Sequence, residues 1–343
     1  MNNLLEAKAK EIKKGPIPVL RLPVLAGRGW EDLQEASYEV TDHIVPAQGI
    51  HLSRDGIVTL SGLEEEFRLT SFSATGFAWC SLSEDRACET ERAVDLINAG
   101  FQEQDKNYML RTTEGGTIIS IVSPGYYPLK NSTIIEGISH LKKDMDMGVW
   151  YLNPYKTGIP LQSKKKFKMN KEELFAGALI KNGEQGKKSM EIISRMVQYI
   201  CGNGVMIGSG ITNEIVRRHN GGDDNWRDFD IIGAVSEIVT NTMKTQGFFE
   251  HLENLALRNP KAKEDVMKTV IAQGQMGPKQ AQGLVTSYNA QRELRNRHTG
   301  ETMYDVFNAV TGLKDYFPKT RLEWEELGGR IMLNPSDFFF SQN

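Results

Sequence analysis

The chain has little that would tie it to a membrane, to secretion or to a wholly basic surface. No run of about 18 or more uncharged apolar residues occurs, so no transmembrane helix is expected. Residues 1–15 are charged throughout and lack an apolar signal core, which predicts a protein that is not secreted. The formal net charge of −3 excludes a basic coat over the whole surface, although it permits a local basic stripe.

Cysteine is also scarce, with only Cys80, Cys88 and Cys201 in 343 residues. An odd number leaves at least one thiol unpaired, and the spacing between Cys80 and Cys88 does not match a zinc knuckle. The pattern predicts reduced thiols in a cytosolic protein.

Common catalytic motifs are missing. The segment 183–189 (GEQGKKS) resembles a phosphate-binding loop, but it has two residues between the glycines instead of four, and Lys188 separates Lys187 from the hydroxyl residue. The segment 202–208 is one residue too long for a dinucleotide fingerprint. No Gly-x-Ser-x-Gly elbow or closely spaced histidine pair occurs. These absences favour a non-enzymatic protein without a cofactor.

One acidic run is a weak candidate for a metal site. Asp223, Asp224, Asp228 and Asp230 could hold a hard cation, although their spacing does not fit an EF-hand loop. The alternative is a helix N-terminus that collects acidic residues against its dipole.

The order of the hydrophobic patterns predicts an α+β fold. The clearest hairpin covers residues 107–123, where β-branched stretches flank Gly115 and Gly116. Residues 63–100 are predicted to be mostly helical, and Ser132 or Thr133 is predicted to cap a short helix. Residues 189–201 fit either a helix or the second strand of a hairpin with 174–180. Apolar stripes predict helices near 231–239, 266–271, 303–313 and 322–332, and Pro278 predicts the first turn of a further helix between the second and third of these.

We therefore expect a curved antiparallel sheet built from hairpins, followed by a helical C-terminal region. The predicted organisation is an N-terminal mixed region at 1–100, a β-rich core at 101–222 and a helical C-terminal region at 223–343.

A basic segment indicates nucleic-acid binding. Between Lys164 and Lys188 the chain has eight lysines and three glutamates, with aromatic residues in or near the segment. Lysine pairs with phosphate, and aromatic rings stack on unpaired bases. The alternative is an ordinary solvated surface. The candidate phosphate-binding residues are Lys164, Lys165, Lys166, Lys168, Lys187 and Lys188, then Arg217, Arg218, Arg292 and Arg295; the candidate stacking residues are Phe167 and Tyr199.

Three blocks of sequence carry a resemblance to a known family. The first contains Leu110-Arg111-Thr112, Ser120–Ser123 and Tyr126–Asn131. The second contains Gly177–Gly186 and Tyr199–Gly204. The third contains Arg297–Gly300, Tyr304–Thr311 and Leu322–Gly329. Together, over about residues 100–332, they resemble the phage/plasmid-like protein family, a group of mobile-element proteins with a domain of unknown function. Gly183 and Gly202 depart from the family pattern, which usually has Ser and Thr there.

The resemblance implies a phage or plasmid protein in the host-cell cytoplasm, encoded near replication or recombination genes. It also favours strands around 174–201. The residue pairs Asn182-Gly183 and Asn203-Gly204 themselves predict type I′ turns that close hairpins. The resulting hypothesis is a non-enzymatic protein that binds and anneals single-stranded DNA and self-associates into rings or filaments. The alternatives are a protein-interaction factor that uses the acidic run and Phe338–Phe340, and a metal-dependent nucleic-acid enzyme.

Overall fold

The structure is a computed structural model. It describes residues 4–13, 18–70, 90–127, 129–169, 172–185, 189–198, 204–207, 215–217, 229–243, 246–257, 260–294, 301–317 and 320–339.

Most strands precede most helices along the chain. The strands are β1 (Lys10–Lys13), β2 (Pro18–Arg21), β3 (Leu25–Arg28), β4 (Val40–Pro46), β5 (Ile50–Leu52), β6 (Ile57–Leu60), β7 (Glu66–Leu69), β8 (Asn107–Thr113), β9 (Thr117–Val122), β10 (Met145–Met147), β11 (Val149–Leu152), β12 (Thr157–Met169), β13 (Glu172–Asn182), β14 (Met190–Gln198), β15 (Gly204–Ile207) and β16 (Ile215–Arg217).

The helices are concentrated in the last third of the chain. They are α1 (Leu4–Ala7), α2 (Gly29–Ala36), α3 (Thr90–Gln102), α4 (Asn131–Ser139), α5 (Ile231–Met243), α6 (Gln246–Asn254), α7 (Pro260–Gln273), α8 (Pro278–Leu294), α9 (Met303–Gly312), α10 (Arg321–Leu333) and α11 (Ser336–Phe339). Short 3-10 helices cover Ala47–Gly49, His140–Lys143 and Leu313–Asp315.

A six-stranded sheet contains the predicted hairpin. Strands β8 and β9 pair antiparallel around a turn in which Gly116 has a φ of +77°, a region that glycine enters without steric cost. The strand order is β4-β8-β9-β7-β6-β5, and β7 and β9 run parallel. Helix α3 covers this sheet and buries Val94 and Ile97 in the same core as Leu110.

An eight-stranded antiparallel sheet contains the segment whose type was open. Strands β13 and β14 pair from Lys181 and Glu191 to Leu174 and Gln198. The main path is β15-β14-β13-β12-β11-β3, while β10 also pairs with β12 and β16 with β14. The hairpin prediction for this region is therefore confirmed.

Helices cover both faces of this sheet. Successive residues of a strand point to opposite faces. The Ser194 hydroxyl oxygen lies 2.5 Å from that of Thr242 in α5. The next residue, Arg195, instead forms two hydrogen bonds, of 2.7 and 2.6 Å, with the Glu325 carboxylate of α10. A second core lies among the C-terminal helices, where Tyr304, Phe307, Trp324 and Ile331 are buried, and the α+β prediction is confirmed.

The predicted region boundaries at 100 and 222 stay a prediction. Strand β3 pairs with β11 and β4 pairs with β8, so strands from the first region extend both sheets of the second. One core cluster also combines Leu33, Ile180 and Val235, one from each predicted region.

The predicted turn at Asn182-Gly183 is wrong. Strand β13 continues through Asn182, whose buried Nδ2 donates to the Leu129 carbonyl and to Asn131 Oδ1, both at 2.9 Å. Neither Asn182 nor Gly183 has the positive φ that a type I′ turn requires. The second predicted turn includes Asn203, which lies outside the described residues.

Two helix predictions also need correction. Ser132 and Thr133 do not cap α4, because the helix begins at Asn131 and no side chain caps it at Lys130. Residues 66–69 of the predicted mostly helical region form strand β7, residues 71–89 lie outside the described residues, and α3 begins at Thr90. Phe338 is not a free contact surface, since it is 1% exposed in the C-terminal core; Phe340 lies outside the described residues. The five predicted C-terminal helices correspond to α5, α7, α8, α9 and α10.

Candidate nucleic-acid interface

The described part of the basic segment contains exposed lysines. A second run of exposed lysines, Lys142 and Lys143, ends the 3-10 helix at His140–Lys143. Lys164, Lys165 and Lys166 lie in β12 beside an irregularity in its pairing with β13. The Lys164 Nζ donates to the main-chain carbonyls of Lys142 and Lys143 at 3.0 and 3.1 Å. We call the exposed group Lys142, Lys143, Lys164, Lys165 and Lys166 the lysine surface.

Carboxylates lie beside three of these ammonium groups. Lys142 lies 3.3 Å from Glu31, Lys164 lies 3.9 Å from Asp146, and Lys166 lies 2.9 Å from Glu173. The side chains of Lys143 and Lys165 form no ion pair among the residues that the structure describes. The lysine surface is therefore partly balanced by acidic neighbours, a feature that the spacing of the lysines did not predict.

These ion pairs are weak enough for a phosphate to compete with them. Each of the six side chains is at least about one-third exposed. Exposed pairs of this kind contribute only ~0–1 kcal/mol each. Lys166 also lies over the ring of Phe175, 5.8 Å from its centroid, but Phe175 is 8% exposed and offers little stacking area.

Arg292 lies in α8 among partners from its own chain. Its guanidinium is 3.3 Å from Asp305 and 3.9 Å from Glu301, and it stacks near the buried Tyr288 ring. Asp305 also closes a capping box with Thr302 at the start of α9. Only 17% of its side chain is exposed. Arg292 therefore joins α8 to the start of α9 and offers little surface to a phosphate.

The other candidate residues are described in part or not at all. Phe167 and Lys168 lie in β12 and Arg217 ends β16, each described by its main chain alone. The remaining candidates lie outside the described residues: Lys187, Lys188, Tyr199, Arg218 and Arg295.

The acidic run is described only at Asp230. Its Oδ1 accepts a hydrogen bond of 2.8 Å from the Gly233 N–H in the first turn of α5. Asp230 therefore lies at a helix N-terminus, as the alternative to a metal site predicts. Asp223, Asp224 and Asp228 lie outside the described residues. Within the described ranges, no group of three or more histidine, cysteine or acidic side chains is arranged to hold a metal ion.

A buried polar network, which sequence reasoning did not identify, forms around Glu184. Its carboxylate is fully buried and accepts hydrogen bonds from the Tyr38 hydroxyl at 2.6 Å and from the Asn131 Nδ2 and N–H at 2.9 and 3.1 Å. The last of these bonds satisfies a free N–H at the start of α4. The signal was present, because Asn131 and Glu184 belong to the first two blocks of the family resemblance.

Arg111 connects this network to the six-stranded sheet. Its Nη1 donates to the Glu184 carbonyl at 2.6 Å and its Nε donates to Asp42 at 2.8 Å. Burial raises the pKa of Glu184, while the nearby Arg111 charge acts against that rise. The network therefore holds the start of the β13–β14 connection, which continues in sequence into Lys187 and Lys188.

No protein family, characterised protein or solved structure matches this chain. In the ranges that the structure covers, none of the helices combines the length and apolar character needed to cross a membrane.

Proposed function

We propose that this protein binds single-stranded DNA and anneals complementary strands without catalysing a covalent reaction. The observation that carries the proposal is the lysine surface: its five lysines are exposed, and the Lys164 ammonium group connects β12 to the second lysine run through the Lys142 and Lys143 carbonyls. Phosphate contact of this kind holds a strand by its backbone and leaves the base edges available for pairing. The proposed setting is replication or recombination of a phage or plasmid in the host cytoplasm.

Binding should depend steeply on salt. Neutralising a phosphate on a single strand releases counterions with a slope of about −0.7 in log K against log salt, so five lysines give about −3.5. The test is a fluorescence-anisotropy titration of a labelled oligo-dT at several salt concentrations. We expect binding at low salt and a slope of this size.

A pair of charge-matched variants tests whether the lysine surface is responsible. Lys143→Ala with Lys165→Ala removes two exposed ammonium groups that have no described ion pair and should reduce the slope by about 1.4. Lys261→Ala with Lys279→Ala removes the same charge from the exposed ends of α7 and α8 and should leave the slope unchanged. Absence of binding at low salt, or equal losses in both variants, would reject the proposal.

Annealing requires that several strands be held together, so self-association into a ring or filament belongs to the same proposal. Mass photometry with and without the oligonucleotide measures assembly directly. We expect an oligomer when the oligonucleotide is bound, and a strictly monomeric complex would contradict this part of the proposal.

A further inference from the structure

Strand β12 contains an irregularity that exposes consecutive lysines. Between the pairs Gln162–Gly177 and Lys166–Phe175, β12 has three residues where β13 has one. In a regular strand, neighbouring side chains point to opposite faces of the sheet. Residues 164–166 are instead all exposed, although each face of this sheet carries helices. The irregularity is therefore a β-bulge that brings three successive lysines to the surface.

Main-chain hydrogen bonds hold this bulge in a defined shape. The Lys165 N–H donates to the Ser163 hydroxyl at 3.1 Å, and the Lys164 N–H donates to the Asp144 carbonyl at 3.0 Å. Strand β10, which begins one residue after Asp144, pairs with β12 up to Ser163. The bulge is therefore attached to the segment before β10 without the help of a lysine side chain.

The Lys164 side chain makes a further connection to that segment. Its Nζ donates to the carbonyls of Lys142 and Lys143 at 3.0 and 3.1 Å. These carbonyls end the 3-10 helix, and the last carbonyls of a helix have no partner within it. Lysine side chains near a helix C-terminus can donate to such carbonyls. Two of the three N–H groups of the ammonium are therefore used inside the protein.

The 3-10 helix is otherwise anchored on either side of its two lysines. Leu141 is buried in the core, and the Asp144 carbonyl is held by the Lys164 N–H. Between these anchors, the Lys164 ammonium group contacts the main chain of both lysines directly. The ion pair of Lys142 with Glu31 joins two exposed side chains, and pairs of that kind contribute little.

We propose that Lys164 is a positioning residue for DNA binding. Its ammonium group fixes the main chain of Lys142 and Lys143, so that both lysine runs contact the same strand. This inference rests on the proposed function of the lysine surface. Loss of the ammonium group should remove more than one phosphate contact, because the second run is released with it.

The test compares Lys164→Met with Lys165→Met in the anisotropy titration against salt. Each variant loses one exposed ammonium group, but the Lys165 side chain has no contact with the 3-10 helix among the described residues. Lys165→Met should reduce the slope by about 0.7, the share of one phosphate contact. Lys164→Met should reduce it by about 2.1, the share of three contacts, and Lys164→Arg should keep the wild-type slope because it keeps the charge and the donors.

Hydrogen–deuterium exchange of the protein without DNA tests the positioning separately. Lys164→Met should raise exchange several-fold in peptides that cover residues 140–144, whereas Lys165→Met and Lys164→Arg should not. The main-chain bonds of the bulge remain in all three variants, and exchange elsewhere in the chain checks that they fold. Equal slope changes in the two methionine variants, or wild-type exchange in Lys164→Met, would overturn the proposal. An oligonucleotide that the wild type does not bind would reject the proposed function instead, and the exchange would still decide whether Lys164 holds the 3-10 helix.

Discussion

At the scale of single residues, the most informative position is Glu184. A buried carboxylate loses its hydration, and this loss is offset by three hydrogen bonds to the carboxylate and by the adjacent Arg111. The same residue satisfies an N–H at the start of α4 and receives an Arg111 bond at its own carbonyl. One side chain therefore contacts a helix terminus, a sheet and a loop.

Glu184→Gln should lower the free energy of unfolding by about 1–3 kcal/mol. The NH2 group of glutamine would face the hydrogen-bond donors of Tyr38 or Asn131, which in the wild type bind a carboxylate oxygen. Chemical denaturation measures the change. Glu264→Gln is the control, since this carboxylate is exposed on α7 and contacts only Lys268 among the ion pairs described; its unfolding midpoint should stay at the wild-type value.

The same variant tests the direction of the pKa change. Burial raises the pKa of Glu184 in the folded state above its unfolded value. Its contribution to stability is then complete below the unfolded pKa and is lost as pH rises through the folded pKa. The difference in stability between wild type and Glu184→Gln should therefore shrink from mildly acidic to neutral pH. A difference that grows with pH would show that the attraction of Arg111 outweighs burial.

At the scale of secondary-structure elements, the contact between β14 and α10 depends on a buried ion pair. Arg195 and Glu325 are 2% and 0% exposed and share two hydrogen bonds. A bidentate guanidinium–carboxylate pair fixes the direction of both side chains, and Lys181–Glu326 provides a second, more exposed connection one residue along. These pairs set the position of α10 on the sheet.

Glu325→Gln should therefore destabilise the protein by about 3–5 kcal/mol, because the Arg195 charge stays buried without its partner. Replacing both residues, as Arg195→Met with Glu325→Leu, should recover much of that loss, since neither charge remains. Urea unfolding of the two variants provides the comparison. A single variant as stable as the wild type would show that water or another group reaches Arg195.

At the scale of the whole molecule, acidic and basic side chains are interspersed, and the net charge is −3. The lysine surface is a local exception with carboxylates at its border. Long-range attraction to a polyanion depends on the summed charge, while contact depends on the ammonium groups that reach the phosphates. The bordering carboxylates should therefore lower the affinity for the oligonucleotide, whereas the lysines make the contacts with its phosphates.

Asp146→Asn with Glu173→Gln should strengthen oligonucleotide binding at low salt, because Lys164 and Lys166 lose competing partners. Glu103→Gln with Asp105→Asn changes the net charge equally, at exposed positions after α3, and should have a smaller effect. Anisotropy titrations of both double variants measure the difference. An equal gain in both would assign the effect to net charge instead of to local competition.

The elements that could be predicted from the sequence are those that depend on near neighbours along the chain. The 107–123 hairpin follows from β-branched stretches around Gly116, and the C-terminal helices follow from apolar stripes such as that of Ile231, Val235 and Ile238. Both patterns operate within a few residues. The predicted turn at Asn182-Gly183 is wrong because a distant part of the chain determines the conformation there. Hydrogen bonds to Leu129 and Asn131 hold Asn182 in the strand.

Contacts between distant side chains depend on how the elements pack. Arg111 reaches Glu184 across 73 positions, and Arg195 reaches Glu325 across 130. Lys164 reaches Lys142 only because β12 and the 3-10 helix are brought together. The charges and spacing of residues along the chain do not give their distances and burial in the folded protein. The free energy of a contact depends on that distance and burial. For this reason the lysine segment could be identified from the sequence, but its acidic border and the Glu184 network could not.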